Sequence, residues 1–170
     1  MKQNYQGETP IHLAIATKNF ELLQLFNSIK HQSLLIKDIK GENPLFYAVR
    51  TNNPSIFNWF YDTSSQVDFF KARGEQNYKG QTIEHIVCMH RENMEIVEAI
   101  KPRPDIKDYY GNLPLYYSLL KNDVEMVKYL FKKGKDYLSL RNYENESIFH
   151  MAGKSNSLDS LIILIDGQPF

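Results

Sequence analysis

Apolar and polar residues recur along this chain in one order: a polar turn, an apolar run, a polar break, then an apolar doublet, a gap and a second doublet. The doublet stretches contain Leu22-Leu23 with Leu25-Phe26, Ile56-Phe57 with Trp59-Phe60, Ile96-Val97 with Ala99-Ile100, and Met126-Val127 with Tyr129-Leu130; the last is the looser Leu161 with Ile163-Leu164. This spacing makes an apolar stripe at about 3.6 residues per turn, which fits a helix and not the strict alternation of a strand. The runs before them are Thr9-Pro10-Ile11-His12-Leu13-Ala14, Asn43-Pro44-Leu45-Phe46-Tyr47-Ala48, Thr82-Ile83-Glu84-His85-Ile86-Val87, Leu113-Pro114-Leu115-Tyr116-Tyr117-Ser118 and Ser147-Ile148-Phe149-His150-Met151-Ala152. A hydroxyl residue caps a helix, and proline suits the first helical position because its missing N–H is not needed there. Each unit therefore reads as two short helices. The small residues Ala14, Ala48, Val87, Ser118 and Ala152 let the second helix approach closely.

The turns repeat as well. Asn4-Tyr5-Gln6-Gly7, Asp38-Ile39-Lys40-Gly41, Asn77-Tyr78-Lys79-Gly80, Asp108-Tyr109-Tyr110-Gly111 and Asn142-Tyr143-Glu144-Asn145 each open on Asn or Asp and close on Gly or Asn. The first side chain can cap nearby backbone N–H groups, and the last residue has to accept a positive φ. Asparagine is the best non-glycine residue for that job. The closing positions follow one another at steps of 34, 39, 31 and 34 residues. No single helix pair buries its own apolar side, but a stack of five makes a continuous core.

This pattern resembles the ankyrin repeat, with its period of roughly 33 residues and its Thr-Pro-Leu-His-x-Ala signature. Thr9-Pro10-Ile11-His12-Leu13-Ala14 is a near match, and the resemblance covers essentially the whole chain. It implies an all-α solenoid of stacked helix-turn-helix units joined by β-turn finger loops. The solenoid would be a single domain over residues 1–170, with repeats at about 4–37, 38–76, 77–107, 108–141 and 142–170. The departures are Phe46 and Tyr116 where the family has His, and Glu84 and Ser160 at apolar positions. In addition, copy three lacks the Pro and has one extra residue near Arg91-Glu92-Asn93, and copy five has Asn145 for Gly.

The connector from Tyr61 to Gln76 reads as an extended loop with room for one helical turn at Val67–Lys71. Lys101-Pro102-Arg103-Pro104 is held out of helix by its prolines. Gly134, preceded by Lys132 and Lys133, reads as a helix C-cap. Asp166-Gly167-Gln168-Pro169-Phe170 resembles the opening of a sixth unit, so the chain reads equally as complete or as a piece of a longer protein.

Composition narrows the function. The 20 basic residues balance the 20 acidic ones, which argues against binding nucleic acid by phosphate neutralisation and against an electrostatic membrane anchor. One cysteine rules out an internal disulfide framework and suits a reducing compartment. The chain shows neither a signal-peptide core nor an apolar run long enough to span a bilayer, so an intracellular, cytoplasmic site is expected, with secretion as an effector still open.

His12, His85 and His150 share one repeat position and so lie a repeat width apart, too far for one metal ion. The resemblance gives this histidine a structural hydrogen bond to the neighbouring turn. His85, Cys88 and His90 lack a fourth zinc ligand, and Cys88 reads as a small core residue. Phosphate cradle, nucleophile elbow and kinase signature are all missing. The expectation is a non-enzyme without cofactor or metal.

The sharpest functional signal is the turn tip, where Tyr5, Ile39, Tyr78, Tyr109 and Tyr143 stand, with Tyr110 beside Tyr109. Tyrosine offers contact area at low entropy cost and is enriched in binding hot spots. Tip tyrosines can equally pack along the turns and stiffen the array, and the two readings coexist. By family logic the concave partner surface runs over these tips with Lys40 and Lys79. It continues over Glu8, Glu42, Gln81, Asn112 and Glu146 after the turns. It then follows the ends of the first helices: Ala16, Thr17, Arg50, Thr51, Met89, His90, Leu120, Lys121 and Lys154. The expected protein is a monomeric interaction module for a partner protein or peptide. The alternatives are a recruiting arm of a larger enzyme or channel, and a microbial or viral effector.

Overall fold

The computed structural model describes residues 2–26, 34–90, 94–132 and 137–166. Among them eleven helices follow one another, and no strand occurs. In order they are α1 (Pro10–Ala16), α2 (Phe20–Leu25), α3 (Pro44–Arg50), α4 (Pro54–Thr63), α5 (Gln66–Gly74), α6 (Ile83–Met89), α7 (Met94–Ile100), α8 (Pro114–Leu120), α9 (Val124–Phe131), α10 (Ile148–Lys154) and α11 (Leu158–Asp166). The expected cap at Gly134, the extra residue at 91–93 and the closing segment from Gly167 lie outside the described residues. Contacts gather into two compact units: Met1–Tyr78 with Asn93–Ala99, and Lys79–Glu92 with Ile100–Phe170.

In the first unit α1 packs on α2 and on α3, and α3 packs on α4. Thr9 caps α1 by accepting from the His12 N–H, with Pro10 at the first position. Asn43 caps α3 and also donates to the Ala72 carbonyl at 2.9 Å. Ile11, Ile15, Leu23, Phe57 and Phe60 are buried in this unit's core. The connector expected as a loop is instead a full helix, α5, capped by Ser65 through the Asp68 N–H. Its Phe69 is buried edge-on against Tyr61 and Phe57, at 4.9 and 6.4 Å between ring centres. Burying a ring of that size contributes about 2–3 kcal/mol, enough to hold a nine-residue helix that would not stand alone.

In the second unit α8 packs on α6, α9 and α10, and α11 packs on α9 and α10. Leu115, Leu119, Val127, Leu130, Ile148 and Leu164 are fully buried here. Tyr137 is buried too, stacked on Phe131.

Between the two helices of a copy the chain reverses through a residue in the left-handed region: Lys18, Asn52, Asn122 and Asn156 have φ of 55, 51, 49 and 52°. The next residue's N–H then bonds back to the small-residue position, as in Asn19 to Ala14, Asp123 to Ser118 and Ser157 to Ala152, each at 3.0 Å. These bonds satisfy carbonyls that the helix end leaves open. The small residue is thus wanted for close approach and for an unobstructed carbonyl alike.

Three polar departures from the repeat pattern, Glu84, Ser160 and Tyr116, each find a partner within their unit. Glu84, fully buried, takes the Arg103 Nε–H at 3.1 Å. Ser160 donates to the Asn122 side-chain oxygen at 2.9 Å. Tyr116 stands in for histidine and sends its hydroxyl to the Glu146 carbonyl at 3.2 Å.

The finger turns close at positive φ as expected, 73–78° at Gly7, Gly41, Gly80 and Gly111, and 60° at Asn145. At Gly80 a Cβ would also lie 2.5 Å from the Tyr109 backbone nitrogen. Gly153, inside α10, faces open space. Gly80→Ala is therefore expected to lower unfolding free energy by about 2 kcal/mol or more, and Gly153→Ala to raise it by roughly 0.5–1 kcal/mol. Urea denaturation of both variants checks the pair, and a neutral Gly80→Ala would refute this turn geometry.

Candidate functional site

The turn tips are built by their first residue. Asp38 Oδ1 accepts from the backbone N–H groups of Lys40 and Glu42 at 2.8 and 2.9 Å, and Asn4, Asp108 and Asn142 do the same in their own turns. The N–H of the second turn residue then reaches the third residue of the preceding turn. In the first unit Ile39 donates to Gln6 and Tyr78 to Lys40; in the second, Tyr109 donates to Lys79 and Tyr143 to Tyr110, all at 2.9–3.1 Å. The second residue is so fixed by its backbone, and its side chain is left at the surface. Tyr5, Ile39, Tyr78, Tyr109, Tyr110 and Tyr143 are all more than half exposed.

Part of each ring is used internally. Tyr78 lies against Gly41, where a Cβ would come within 2.8 Å of the ring, and Tyr143 lies against Gly111 in the same way. Lys107 places its ammonium 5.5 Å from the centre of the Tyr143 ring. The tyrosines thus brace on the turn before them and still present most of their surface.

Behind the tips the carboxylates are consumed by the fold. Tyr47 donates to Asp38 Oδ2 at 2.8 Å and to Glu8 Oε1 at 3.0 Å. Tyr117 donates to Asp108 Oδ2 at 2.5 Å and accepts from Gln81 Nε2 at 2.9 Å. Burial first, and then the hydrogen bond to an aspartate, push both phenols up, Tyr117 to about 12. Both therefore stay protonated donors. Glu42, almost fully buried, receives both Arg50 guanidinium nitrogens at 2.8 and 2.9 Å and the Asn77 amide at 3.2 Å. Arg50, expected on the partner surface, is half-buried and committed to this pair. Glu146 pairs with Lys154 at 2.5 Å, and Asn112 with Asn142 at 3.0 Å.

Of the remaining expected residues, Lys40, Lys79 and Lys121 are exposed, and Met89 and His90 are half-buried. Ala16, Thr17 and Leu120 are exposed as well. Sequence reasoning missed the Tyr47 and Tyr117 clamps. The available signal was a tyrosine at the same repeat position in both copies that carry Asp, rather than Asn, at the start of the turn.

His12, His85 and His150 are structural. His12 Nδ1 accepts from the Thr9 backbone N–H at 3.0 Å, so its proton sits on Nε2, which donates to the Glu42 carbonyl at 3.2 Å. His85 repeats this with Thr82 and Asn112, and His150 with Ser147. Among the described residues no group of three His, Cys, Asp or Glu is placed to hold a metal, and Cys88 is a buried thiol outside any disulfide. No helix described is long and apolar enough to cross a membrane.

The family model for ankyrin repeats (3 copies) matches residues 63–141 and 85–169. Over 161 residues the chain is 23% identical to ankyrin repeat protein FPV034 of Fowlpox virus (strain NVSL), covering 93% of this chain and 35% of that protein. It is 25% identical to the E3 ubiquitin-protein ligase KEG of Arabidopsis thaliana, covering 93% of this chain and 10% of the ligase. Among solved structures, the ankyrin repeat domain of Bcl-3, a member of the IkappaB protein family, superposes with a TM-score of 0.76 at 22% identity, over 99% of this chain and 74% of that one. The chain thus spans about a third of the viral relative and a tenth of the plant one.

Two outcomes follow from the buried polar groups. Burial holds His12 and His85 below the ordinary 6.5, outweighing the carbonyl bonds that raise them. The unfolded chain then binds the protons more readily, so stability is full above about pH 6.5 and falls as pH drops toward the lowered values. Thermal melts from pH 7.5 down to about 5 should show that loss, and it should shrink in the His12→Asn, His85→Asn double variant. Tyr117→Phe removes the hydroxyl donor from Oδ2 of the buried Asp108 carboxylate and is expected to cost about 1–3 kcal/mol by urea denaturation.

Proposed function

The chain belongs to the ankyrin repeat family, and from that premise we propose that it is a non-catalytic interaction module, one domain holding a partner protein or peptide on its turn tips and first helices. Ankyrin repeats are generally protein–protein interaction modules, and the observation that carries the reading here is the row of tyrosines. Tyr78, Tyr109 and Tyr143 are each fixed at the backbone by a bond to the preceding turn and left with most of the ring in water. A rigid aromatic loses little entropy on binding, which is what a hot spot needs. Lys40, Lys79 and Lys121 are exposed beside or behind the tips, and with Met89 and His90 they complete the contact set. Arg50 supports that set from behind through Glu42. The protein acts as a monomer inside the cell, without cofactor, nucleic acid or membrane insertion.

A second reading is favoured by one likeness. The chain matches a tenth of a plant E3 ubiquitin-protein ligase, so the same surface would serve as the recruiting arm of a larger enzyme.

A photo-crosslinking amino acid placed at Tyr78 or at Tyr109 should capture the partner, whereas one at exposed Lys128 on α9 should not. With the captured partner, Tyr78→Ala and Tyr109→Ala should each weaken binding by about 1 kcal/mol while the circular dichroism spectrum is unchanged. Crosslinks from Lys128 alone, or unchanged affinity in both variants, would overturn the assignment of the surface.

A further inference from the structure

The formal charge of the chain is zero, but the tip surface of the second unit is not neutral. Its carboxylates are withdrawn into the fold: Asp108 is buried under Tyr117, and Glu146 is paired with Lys154. Its cations remain outside. Lys79, Lys107 and Arg141 are exposed. Lys107 and Arg141 place their hydrogen bonds on backbone carbonyls, of Arg141 and of Leu138 and Leu140, and among the described residues neither is in a salt bridge with a carboxylate. Lys107 is moreover held over the Tyr143 ring. Glu144 is the one acidic side chain exposed within the tips of this unit, and Asp105 stands before them in the preceding turn, where its field reaches the buried Tyr137. Three cations thus stand among the exposed rings of Tyr109, Tyr110 and Tyr143.

We propose that this surface takes an acidic segment of the partner protein, its carboxylates meeting Lys79, Lys107 and Arg141 and its apolar side chains lying on the tyrosines. The inference rests on the interaction reading above and adds the chemical class of the partner. Lys107, held over the Tyr143 ring, loses little freedom when an anion arrives, and complementary charge raises the encounter rate and fixes the register. A polyanionic nucleic acid would meet the same cations, but it would need far more of them than a balanced chain offers.

The test titrates the isotope-labelled protein with an oligo-glutamate peptide, an oligo-lysine peptide and a single-stranded oligonucleotide, read by amide chemical shifts at low and raised salt. Oligo-glutamate is expected to move the amides of Tyr109, Tyr110 and Tyr143, with affinity that drops on adding salt. Lys107→Glu with Arg141→Glu should reduce that affinity about tenfold. Lys79→Glu gives an independent variant should the pair perturb the turn. Oligo-lysine should be silent and the oligonucleotide weaker. Equal binding of oligo-lysine, tighter binding of the oligonucleotide, or shifts confined to α9 and α11 would overturn the proposal. If crosslinks from Tyr109 still reach a partner while oligo-glutamate fails, the acidic assignment falls alone. If those crosslinks are absent as well, the interaction surface falls with it.

Discussion

The structure depends on one backbone constraint, a turn whose last residue must sit at positive φ while the next turn lies almost in contact with it. The turn-to-turn N–H to carbonyl bonds require that closeness, and the closeness excludes a side chain at the closing glycine. The same bond fixes the backbone of Ile39, Tyr78, Tyr109 and Tyr143, whose side chains are presented to solvent. The stability of the turns and the placement of these exposed side chains therefore draw on the same few atoms.

A second level of order lies behind the turns. Protein interiors tolerate carboxylates only when they are hydrogen-bonded or paired. Here Asp38, Asp108 and Glu42 satisfy that demand with Tyr47, Tyr117 and Arg50. These groups tie the turn to the first helix and, through Glu8 and Gln81, to the copy before it. Removing negative charge from the surface in this way changes the electrostatic face without changing the composition. A balanced sequence can hence carry an unbalanced surface.

Much of this was legible beforehand, because the requirements are local. The period-3.6 stripes located the second helices, Thr-Pro, Asn-Pro and Leu-Pro located the starts of three first helices, and the Asn or Asp to Gly or Asn spacing located the positive-φ positions, Asn145 included. What was not legible was long-range or cooperative. The α5 helix has weak local signals and exists because Phe69 finds Tyr61 and Phe57. Glu84 looked like a defect until Arg103, nineteen residues on, was placed beside it. On the candidate surface, sequence reasoning put Arg50 among the contact residues from its place at the end of a first helix, and its pairing with buried Glu42 was not legible. The tip tyrosines were legible because their position in the turn is enough to expose them.

Adjacent residues on the first helix face opposite ways along the chain. Tyr116 reaches forward to the Glu146 carbonyl, and its neighbour Tyr117 reaches back to Gln81. A copy is thus a link with two different couplings, each matched to one particular neighbour. Moving or duplicating this copy would mismatch both ends at once, so its place in the order is fixed by its two neighbours.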